Sequence, residues 1–324
     1  MNFPMSVSDK KLKVAVIGAG NMALEHIRAF KDIAQVEIVG IFSRTKEKAA
    51  KLAAEYAIPL VCESIEELYE KTKADLVLVT VFETAMLDTA LKSLDYPWQV
   101  FLEKPPGYNL EQALQIQAKA KSKGKEVLVG LNRRCLSSTM GVHKVLQNSP
   151  SKRFVYIADQ QDLATARHFN HPEIVVKNWM YANSIHTIDY LTHFCRGEIE
   201  SVTPLHKWEP DKTFVLLAQI KYTSGDEGLY HGVWSGPGPW AVTVQTPEDR
   251  WELRPLEKAL HQKRGERKLT ELTINDWDVS FKPGFRLQAQ KVFDFCQDTT
   301  KREDVATLDS ALQTMKIINK IFSI

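Results

Sequence analysis

A glycine-rich turn near the start of the chain is the first stretch whose residues could do chemistry. Residues 13–26 read KVAVIGAGNMALEH, in which residues 18–23 form a G-x-G-x-x-A pattern between a short apolar run and a plausible amphipathic helix. The first glycine permits a tight turn, the second lets backbone approach a diphosphate, and the alanine lets the helix pack close to the strand. Because exposed N–H groups at a helix N-terminus bind phosphate, the turn predicts a dinucleotide site. Its predicted binding residues are Gly18, Gly20, Asn21 and Met22, and a turn that simply ends the strand is the alternative.

The end of the predicted second strand indicates which nicotinamide dinucleotide would bind. An NAD-binding chain usually carries Asp or Glu here to hold the ribose 2′-hydroxyl, whereas this sequence reads Phe42-Ser43-Arg44. A hydroxyl and a guanidinium suit a 2′-phosphate, with the arginine either pairing with it or stacking on adenine. Ser43 and Arg44 therefore favour NADP(H) over NAD(H), the alternative being that Arg44 is a solvated loop residue.

A second stretch with possible chemistry is QVFLEKPPG at residues 99–107, where a short strand runs into Glu103, Lys104 and two prolines. The loop is expected to overhang the cofactor, and Glu103 and Lys104 could form an ion pair. A lysine whose pKa is lowered by burial or by an oxidised nicotinamide can exchange a proton. On chemistry alone, an ordinary surface lysine is the more frequent case.

Together these stretches resemble the glucose–fructose oxidoreductase/inositol dehydrogenase family (Gfo/Idh/MocA). The resemblance is carried by the glycine turn, by Glu103-Lys104-Pro105 and by VGLNRR at residues 129–134, and it extends over essentially the whole chain. It implies an NAD(P)-dependent oxidoreductase that transfers a hydride between nicotinamide and a secondary alcohol or ketone of a sugar, nucleotide sugar or polyol. It also implies that Lys104 binds substrate and handles a proton, and that Glu103 and Lys104 border the cofactor.

Residues 178–189, NWMYANSIHTID, resemble the second site of that family. His186 and Asp189 match its histidine and aspartate, but Ala182 stands where a carboxylate is expected four residues before the histidine. Because Asn183, His186 and Asp189 are spaced by single helical turns, they are expected to share a face. An imidazole there can take the proton of a substrate hydroxyl, so His186 joins Lys104 as a catalytic candidate and Asn183 and Asp189 are substrate candidates. A buried histidine paired with Asp189 is the alternative.

Arg133 lies in the VGLNRR stretch, where the chain is expected to pass from one domain to the next. The resemblance implies that this junction lines the substrate pocket, where an arginine would suit a carboxylate or a phosphate. A structural salt bridge is the alternative for Arg133. No metal site is predicted, because the four cysteines are scattered without a histidine at metal-ligand spacing, and free thiols in a reducing cytosol fit best.

The elements that must position these residues alternate between strand and helix through the first 130 residues. Such βαβ alternation implies a parallel sheet covered on both faces, and hence a doubly wound Rossmann domain over residues 1–131. The predicted strands are 14–17, 36–42, 60–61, 76–81, 99–102 and 127–130, and the main helices are 45–56, 85–94 and 109–123.

After Asn132 the rhythm changes to strands that follow one another through turn residues, which is typical of an antiparallel sheet. Residues 132–324 are therefore predicted to be an α+β domain with a large, mainly antiparallel sheet, and a ligand would lie between the two domains. The predicted strands are 154–158, 214–222, 229–234, 241–245 and 251–253, and the helices are 183–194, 285–298 and 307–321.

Composition excludes several classes of protein. The 324 residues are 44% hydrophobic and 25% charged with a net charge of +2, so neither nucleic acid nor an anionic membrane is an expected partner. The longest apolar run is strand-sized rather than the ~20 residues that span a bilayer, and the polar start of the chain lacks the apolar core of a secretory signal. A cytoplasmic enzyme with a small sugar-like substrate is expected.

Two further functions stay open at this stage. A catalytically silent protein that senses NADP(H) would explain the missing carboxylate at Ala182, and reduction of a non-sugar carbonyl, an imine or a tetrapyrrole could use the same scaffold. The resemblance also implies a homodimer or homotetramer built through the open face of the second sheet. A monomer with that face covered is the alternative.

Overall fold

The computed structural model describes residues 11–324, apart from the side chains of Glu303 and Asp304. Residues 1–10, which carry most of the predicted polar tail, lie outside the described part. Strands and helices alternate through the first half as the sequence predicts. The elements are β1 (Leu12–Ile17), α1 (Asn21–Lys31), β2 (Val36–Phe42), α2 (Lys46–Tyr56), β3 (Val61–Cys62), α3 (Ile65–Thr72), β4 (Leu76–Val79), α4 (Glu83–Ser93), β5 (Gln99–Leu102), α5 (Leu110–Ser122) and β6 (Val127–Val129).

These strands form one parallel sheet in the order β3-β2-β1-β4-β5-β6. Strands β1 and β4 are apolar runs, and every residue of β4 is buried, which is the pattern of interior strands covered on both faces. The chain first builds outward from β1 to β3 and then returns to place β4 on the other side of β1. This reversal opens a crevice at the carboxyl ends of β1 and β4. The predicted doubly wound domain is confirmed.

A 3-10 turn at Asn132–Cys135 leads into the second half of the chain, which carries a larger sheet with helices packed on it. A π-helical turn, Met180–Ser184, directly precedes α9. The elements are α6 (Ser137–Leu146), β7 (Phe154–Gln161), α7 (Leu163–His168), α8 (Glu173–Lys177), α9 (Ile185–Phe194), β8 (Ile199–Pro204), β9 (Val215–Tyr222), β10 (Glu227–Trp234), β11 (Ala241–Gln245), β12 (Asp249–Leu253), β13 (Leu260–Lys263), β14 (Thr270–Glu271), α10 (Trp277–Ser280), α11 (Phe285–Gln297) and α12 (Leu308–Phe322).

The second sheet has eight strands in the order β14-β13-β12-β11-β7-β10-β9-β8 and is mainly antiparallel, as predicted. Its one parallel pairing joins β7 to β10. After β7 the chain crosses through α7, α8 and α9 to β8, and the antiparallel run β8-β9-β10 then brings β10 beside β7. The sequence analysis did not predict β8, β13 and β14. These strands are short or partly exposed and lack a strong apolar alternation.

Helices of the second half pack on both halves of the molecule. Helices α9 and α12 pack against each other, and they contact β7 and β8 respectively. Helix α11 instead returns to the first half and packs against α1, where Phe285, Ala289, Val292 and Phe295 join the core around β1. Helix α11 therefore attaches the second half of the chain to the core of the first. The division of the sequence at residue 131 stays a prediction.

No disulfide joins the four cysteines, of which Cys62, Cys135 and Cys195 are buried and Cys296 is partly buried. Burial raises the pKa of the Cys296 thiol to about 12. Across the described residues, no three His, Cys, Asp or Glu side chains are arranged to hold a metal. Between residues 11 and 324 there is also no helix with the length and apolar character needed to cross a membrane.

Candidate active site

The glycine turn after β1 is held against the end of β4. Gly18 has a φ of +109°, and its N–H donates to the Phe42 carbonyl at 2.8 Å. A Cβ atom at this position would lie 2.5 Å from the carbonyl oxygen of Thr80. Both the backbone conformation and the contact with β4 therefore require glycine here.

Gly20 differs from Gly18, because it borders open space. It is the N-cap of α1 in an extended conformation, and a Cβ atom built on it would meet no heavy atom of the described chain within 4 Å. Among the described residues no side chain caps α1. Amide groups at this helix end are thus available to an anion, and the open space at Gly20 is where a diphosphate would approach. The turn fits a dinucleotide.

A cleft of about 470 Å³ begins at this turn and runs between the two halves of the chain. It collects residues from the carboxyl ends of β1, β4 and β5 and from the second half. The lining consists of Gly20, Asn21, Met22, Thr80, Val81, Phe82, Glu83, Glu103, Lys104, Asn132, Arg133, His171, Asn183, His186, Trp240, Lys282 and Phe285.

Glu103 is buried at the floor of the cleft and positions the residue that follows it. Its Oε1 atom lies 2.8 Å from Nε2 of His26, and its Oε2 atom accepts the backbone N–H of Lys104 at 2.9 Å. His26 is fully buried, with the rings of Phe101 and Phe285 beside it. The expected ion pair between Glu103 and the Lys104 ammonium is therefore not formed. His26, which the sequence groups with the polar residues of an amphipathic helix, is instead a core residue that anchors Glu103.

Lys104 extends from the end of β5 across the cleft to the second half. Its Nζ atom donates to the backbone carbonyl of Ala182 at 2.9 Å. Ala182 lies in the π-helical turn before α9, at the position where the family resemblance leads one to expect a carboxylate. The Ala182 carbonyl oxygen therefore accepts a hydrogen bond from Lys104 at the position where the family resemblance leads one to expect a carboxylate.

His186 lies on the first turn of α9 and lines the same cleft. Burial lowers its pKa well below the ordinary value of 6.5, and the charges of Lys104, Arg133 and Lys282 lower it further. The imidazole is therefore neutral at pH 7, which is the form that accepts a proton. Within the described residues its Nδ1 atom has no hydrogen-bond partner.

Asn183 also lines the cleft, and its side chain is held from behind. Its Nδ2 atom donates to Oε1 of Gln161 at 2.8 Å, and the Trp179 indole N–H donates to the same oxygen at 2.9 Å. The amide oxygen of Asn183 is left to face a ligand. The predicted placement of Asn183 beside His186 agrees with this geometry.

Asp189 does not reach the cleft, contrary to the expectation that it shares a face with Asn183 and His186. Its two oxygens form a bidentate pair with Arg134 at 2.6 and 2.7 Å, and Oδ1 also accepts from the Thr314 hydroxyl at 2.8 Å. The side chain lies on the face of α9 that packs against α12, so it is buried. It does not pair with His186 either. We therefore leave Asp189 out of the proposed substrate contacts.

Arg133 is both a pocket residue and a member of a salt bridge, the two roles that the sequence leaves open. It lines the cleft, and it also forms an ion pair with Glu257. Its guanidinium carbon lies 5.7 Å from the ring centroid of Trp240. The carboxylate and the indole together hold the guanidinium in place in the lining of the cleft.

Ser43 and Arg44 follow β2 and lie outside the lining of this cleft. The Ser43 hydroxyl accepts the Thr45 N–H at 3.3 Å, and Arg44 is exposed. Since the Phe42 carbonyl bonds to Gly18, this segment lies next to the glycine turn. That is where the adenosine ribose of a dinucleotide lies in a Rossmann fold.

Sequence reasoning missed several residues of the site. His171, Trp240 and Lys282 come from loops of the second half and reach the cleft through long-range packing. Their local sequence contains no motif that could indicate this position. His26 could have been found from its place among Ala23, Ile27 and Phe30 on the buried face of α1.

Comparison with known proteins agrees with this geometry. The sequence model of one family, described as an oxidoreductase family with an NAD-binding Rossmann fold, matches residues 12–131. A 4-carboxy-2-hydroxymuconate-6-semialdehyde dehydrogenase from Sphingobium sp. is 27% identical over 132 residues, which are 41% of this chain and 42% of that protein. An inositol 2-dehydrogenase from Salmonella typhimurium is 23% identical over 197 residues, 59% of this chain and 56% of the other. The chain thus matches about half the length of these relatives.

Solved structures match over nearly the full length. A dehydrogenase from Chromobacterium violaceum superposes with a TM-score of 0.81 at 18% identity, covering 97% of this chain and 95% of the other. An aldose-aldose oxidoreductase from Caulobacter crescentus gives a TM-score of 0.79 at 16% identity and covers 97% of each chain. At these identities the likeness shows only the fold, and it shows it for both halves of this chain.

Proposed function

We propose that the chain is a nicotinamide-dependent oxidoreductase, because residues 12–131 match the model of the Gfo/Idh/MocA family, described as oxidoreductases with an NAD-binding Rossmann fold. Its substrate is a secondary alcohol or ketone of a sugar, nucleotide sugar or polyol. The observation that carries the proposal is the single cleft that joins the free N-terminus of α1 to Lys104 and His186. Relatives named inositol 2-dehydrogenase and glucose-6-phosphate 3-dehydrogenase support the substrate class.

Different residues of the cleft bind the substrate and transfer the proton. The bound nicotinamide supplies the hydride chemistry. Lys104, whose position is fixed by Glu103 and the Ala182 carbonyl, donates a hydrogen bond to the reacting oxygen of the substrate. Neutral His186 accepts the hydroxyl proton in oxidation and returns it in reduction.

Other residues of the cleft orient the substrate. Asn183 presents its amide oxygen to a hydroxyl group, because Gln161 already binds its amide nitrogen. Arg133, fixed by Glu257 and Trp240, binds an anionic substituent where the substrate carries one. Glu103, on the cofactor side of the cleft, positions Lys104 by accepting its backbone N–H and forms no ion pair with its ammonium.

NADP(H) is the proposed coenzyme, because Arg44 is exposed beside the glycine turn and no acidic residue occupies positions 42–44. The Arg44→Ala variant should bind NADPH about tenfold more weakly, the loss expected for one charge-assisted hydrogen bond, and should bind NADH as the wild type does. Tryptophan fluorescence titration measures both affinities. Equal loss for the two coenzymes, or no loss, would contradict the assignment of Arg44.

Turnover tests the function as a whole. Purified protein is incubated with NADP⁺ or NADPH and a panel of inositols, aldoses, sugar phosphates and nucleotide sugars, with semialdehydes and imines as the non-sugar arm. The proposal predicts a change in absorbance at the nicotinamide band with at least one sugar-like compound. Turnover restricted to the non-sugar arm would overturn the substrate class.

A catalytically silent NADP(H) sensor is the second candidate, and the Ala182 position favours it. There Lys104 meets a neutral carbonyl and not a carboxylate, so the site lacks one expected charged group. A sensor binds NADPH but oxidises or reduces it with no compound of the panel. Binding without turnover would therefore select this function.

The assembly that we propose is a homodimer or homotetramer in the cytoplasm. Burial alternates along β9 and β10, so one face of the second sheet remains partly exposed with Leu217, Leu229 and Val233 on it. The proposed compartment is a reducing one, which suits four cysteines that form no disulfide. Light scattering on the wild type and on Leu229→Glu tests the assembly, and a monomeric wild type would contradict it.

A further inference from the structure

Lys282 brings a positive charge from the second half of the chain to the start of α1. It belongs to the segment Phe281–Gly284 between α10 and α11, which we call the strap. Its Nζ atom lies 3.3 Å from the sulfur of Met22, in the first turn of α1. The same atom lies 5.3 Å from the ring centroid of Phe285.

The ammonium of Lys282 forms no ion pair with a carboxylate of the described residues. Its nearest carboxylates, Glu103 and Glu25, act on it only through space, and two further cations, Lys104 and Arg133, line the same cleft. Partial burial lowers the pKa of Lys282, the charges of Glu103 and Glu25 raise it, and the cations Lys104 and Arg133 lower it by less. The N-terminus of a helix also carries partial positive charge. The Lys282 ammonium and the N-terminus of α1 therefore both border the cleft that contains Gly20.

The strap holds its place through several hydrogen bonds, so the position of Lys282 is built into the fold. The side-chain amide of Asn132 donates to the Pro283 carbonyl at 3.0 Å, and the Gly284 N–H donates to Asp278 at 2.7 Å. Gly284 has a φ of +82°, and a Cβ atom there would lie 2.3 Å from the Asn132 carbonyl oxygen. Behind the strap, Phe285 packs in the core with α1.

We infer that Lys282 is a diphosphate-binding residue, whose ammonium, held beside the first turn of α1, donates to the oxygens of the dinucleotide diphosphate. The inference rests on the proposed function, because it needs a dinucleotide at the glycine turn. A doubly charged diphosphate between the helix N-terminus and the ammonium removes the repulsion that the unliganded cleft contains. Cofactor binding then joins the two halves of the chain through one ion pair.

Binding of cofactor fragments tests this contact without depending on turnover. ADP-ribose contains the diphosphate, whereas adenosine 2′-monophosphate contains only the phosphate that Arg44 is proposed to bind. Calorimetry is carried out on the wild type, Lys282→Ala, Lys282→Arg and Lys316→Ala. The last variant is the control, because Lys316 is an exposed lysine on α12 outside the cleft and its removal makes the same change in net charge.

We expect Lys282→Ala to bind ADP-ribose and NADPH about tenfold or more weakly, with adenosine 2′-monophosphate unaffected. Lys282→Arg should restore most of the affinity, and Lys316→Ala should match the wild type. Equal binding of ADP-ribose by Lys282→Ala and the wild type overturns the inference and leaves the proposed function standing. A wild type that binds NADPH and NADH not at all contradicts the proposed function and this contact together.

Discussion

The Lys104 ammonium nitrogen lies 2.9 Å from the carbonyl oxygen of Ala182, which ties the end of β5 to the π-helical turn before α9. The contact spans the cleft between the two halves of the chain. Because a carbonyl oxygen carries no formal charge, it orients the ammonium without neutralising it. The full charge of Lys104 remains available to a substrate oxygen.

Replacing Lys104 with methionine removes that charge and keeps most of the side-chain volume. We expect turnover of the best substrate in the panel to fall at least about tenfold, because the reacting oxygen loses its charge-assisted hydrogen bond. NADPH affinity should change little, since the diphosphate is bound at the other end of the cleft. Steady-state kinetics and fluorescence titration measure the two quantities. A Lys104→Met enzyme with wild-type turnover would remove Lys104 from the mechanism.

The two glycines of the turn should respond differently to the same substitution. Gly18→Ala places a methyl group 2.5 Å from the Thr80 carbonyl oxygen at a φ of +109°, and should lower the free energy of unfolding by at least about 2 kcal/mol. Gly20→Ala meets open space, so its unfolding free energy should change by less than about 1 kcal/mol. Its NADPH affinity should nevertheless fall at least about tenfold, because the methyl group occupies the approach of the diphosphate.

Urea unfolding and NADPH titration of both glycine variants check this contrast. Each variant serves as the control for the other. If Gly20→Ala binds NADPH as tightly as the wild type, the diphosphate does not lie at this turn.

The lowered pKa of His186 predicts a direction for pH dependence. Lys104, Arg133 and Lys282 face it across the cleft, and its folded pKa lies below the ordinary 6.5 of the unfolded chain. Below about pH 6.5 the unfolded chain therefore binds a proton that the folded one does not, so stability is lost as pH falls. When the pH is lowered from about 7.5 to about 5.5, the unfolding free energy of the wild type should fall. That of His186→Gln should fall by about 1 kcal/mol less, because glutamine does not titrate.

The same shift keeps His186 neutral at mildly acidic pH, so the acid limb of kcat/KM for oxidation should lie below 6.5. Urea unfolding at the two pH values and a pH–rate profile supply the measurements. An acid limb near or above the ordinary imidazole pKa would show that His186 is not the proton acceptor.

The buried pair of Arg134 and Asp189 predicts a structural effect. Asp189→Ala leaves a buried guanidinium without its bidentate partner and should cost about 3–5 kcal/mol of unfolding free energy. Asp211→Ala breaks the exposed pair with Arg167 and should cost far less. Thermal and urea unfolding compare the two. A folded, stable Asp189→Ala protein with a greatly raised KM would restore Asp189 to the substrate site.

The sequence predicted the elements that rest on local patterns. Buried apolar runs such as β4, and the glycine turn before α1, depend on residues close together in the chain, and both agree with the structure. The same holds for the strands β9, β10 and β11, whose apolar residues alternate. The match of residues 12–131 to the oxidoreductase family confirms the resemblance that these motifs carry.

What the sequence missed depends on packing between distant segments. Asp189 is drawn away from the cleft by Arg134 and Thr314, which lie on other elements. Lys282 reaches Met22 across 260 positions of sequence. The spacing of residues within one segment does not indicate contacts with segments far away in the sequence.

Calorimetric titration of NADPH and NADH into the wild-type protein tests the central claim most directly. The account predicts saturable binding of one dinucleotide per chain, with NADPH bound more tightly than NADH. It also predicts that Gly20→Ala weakens both coenzymes. Absence of binding for both coenzymes, in protein shown to be folded, would contradict the account of the cleft.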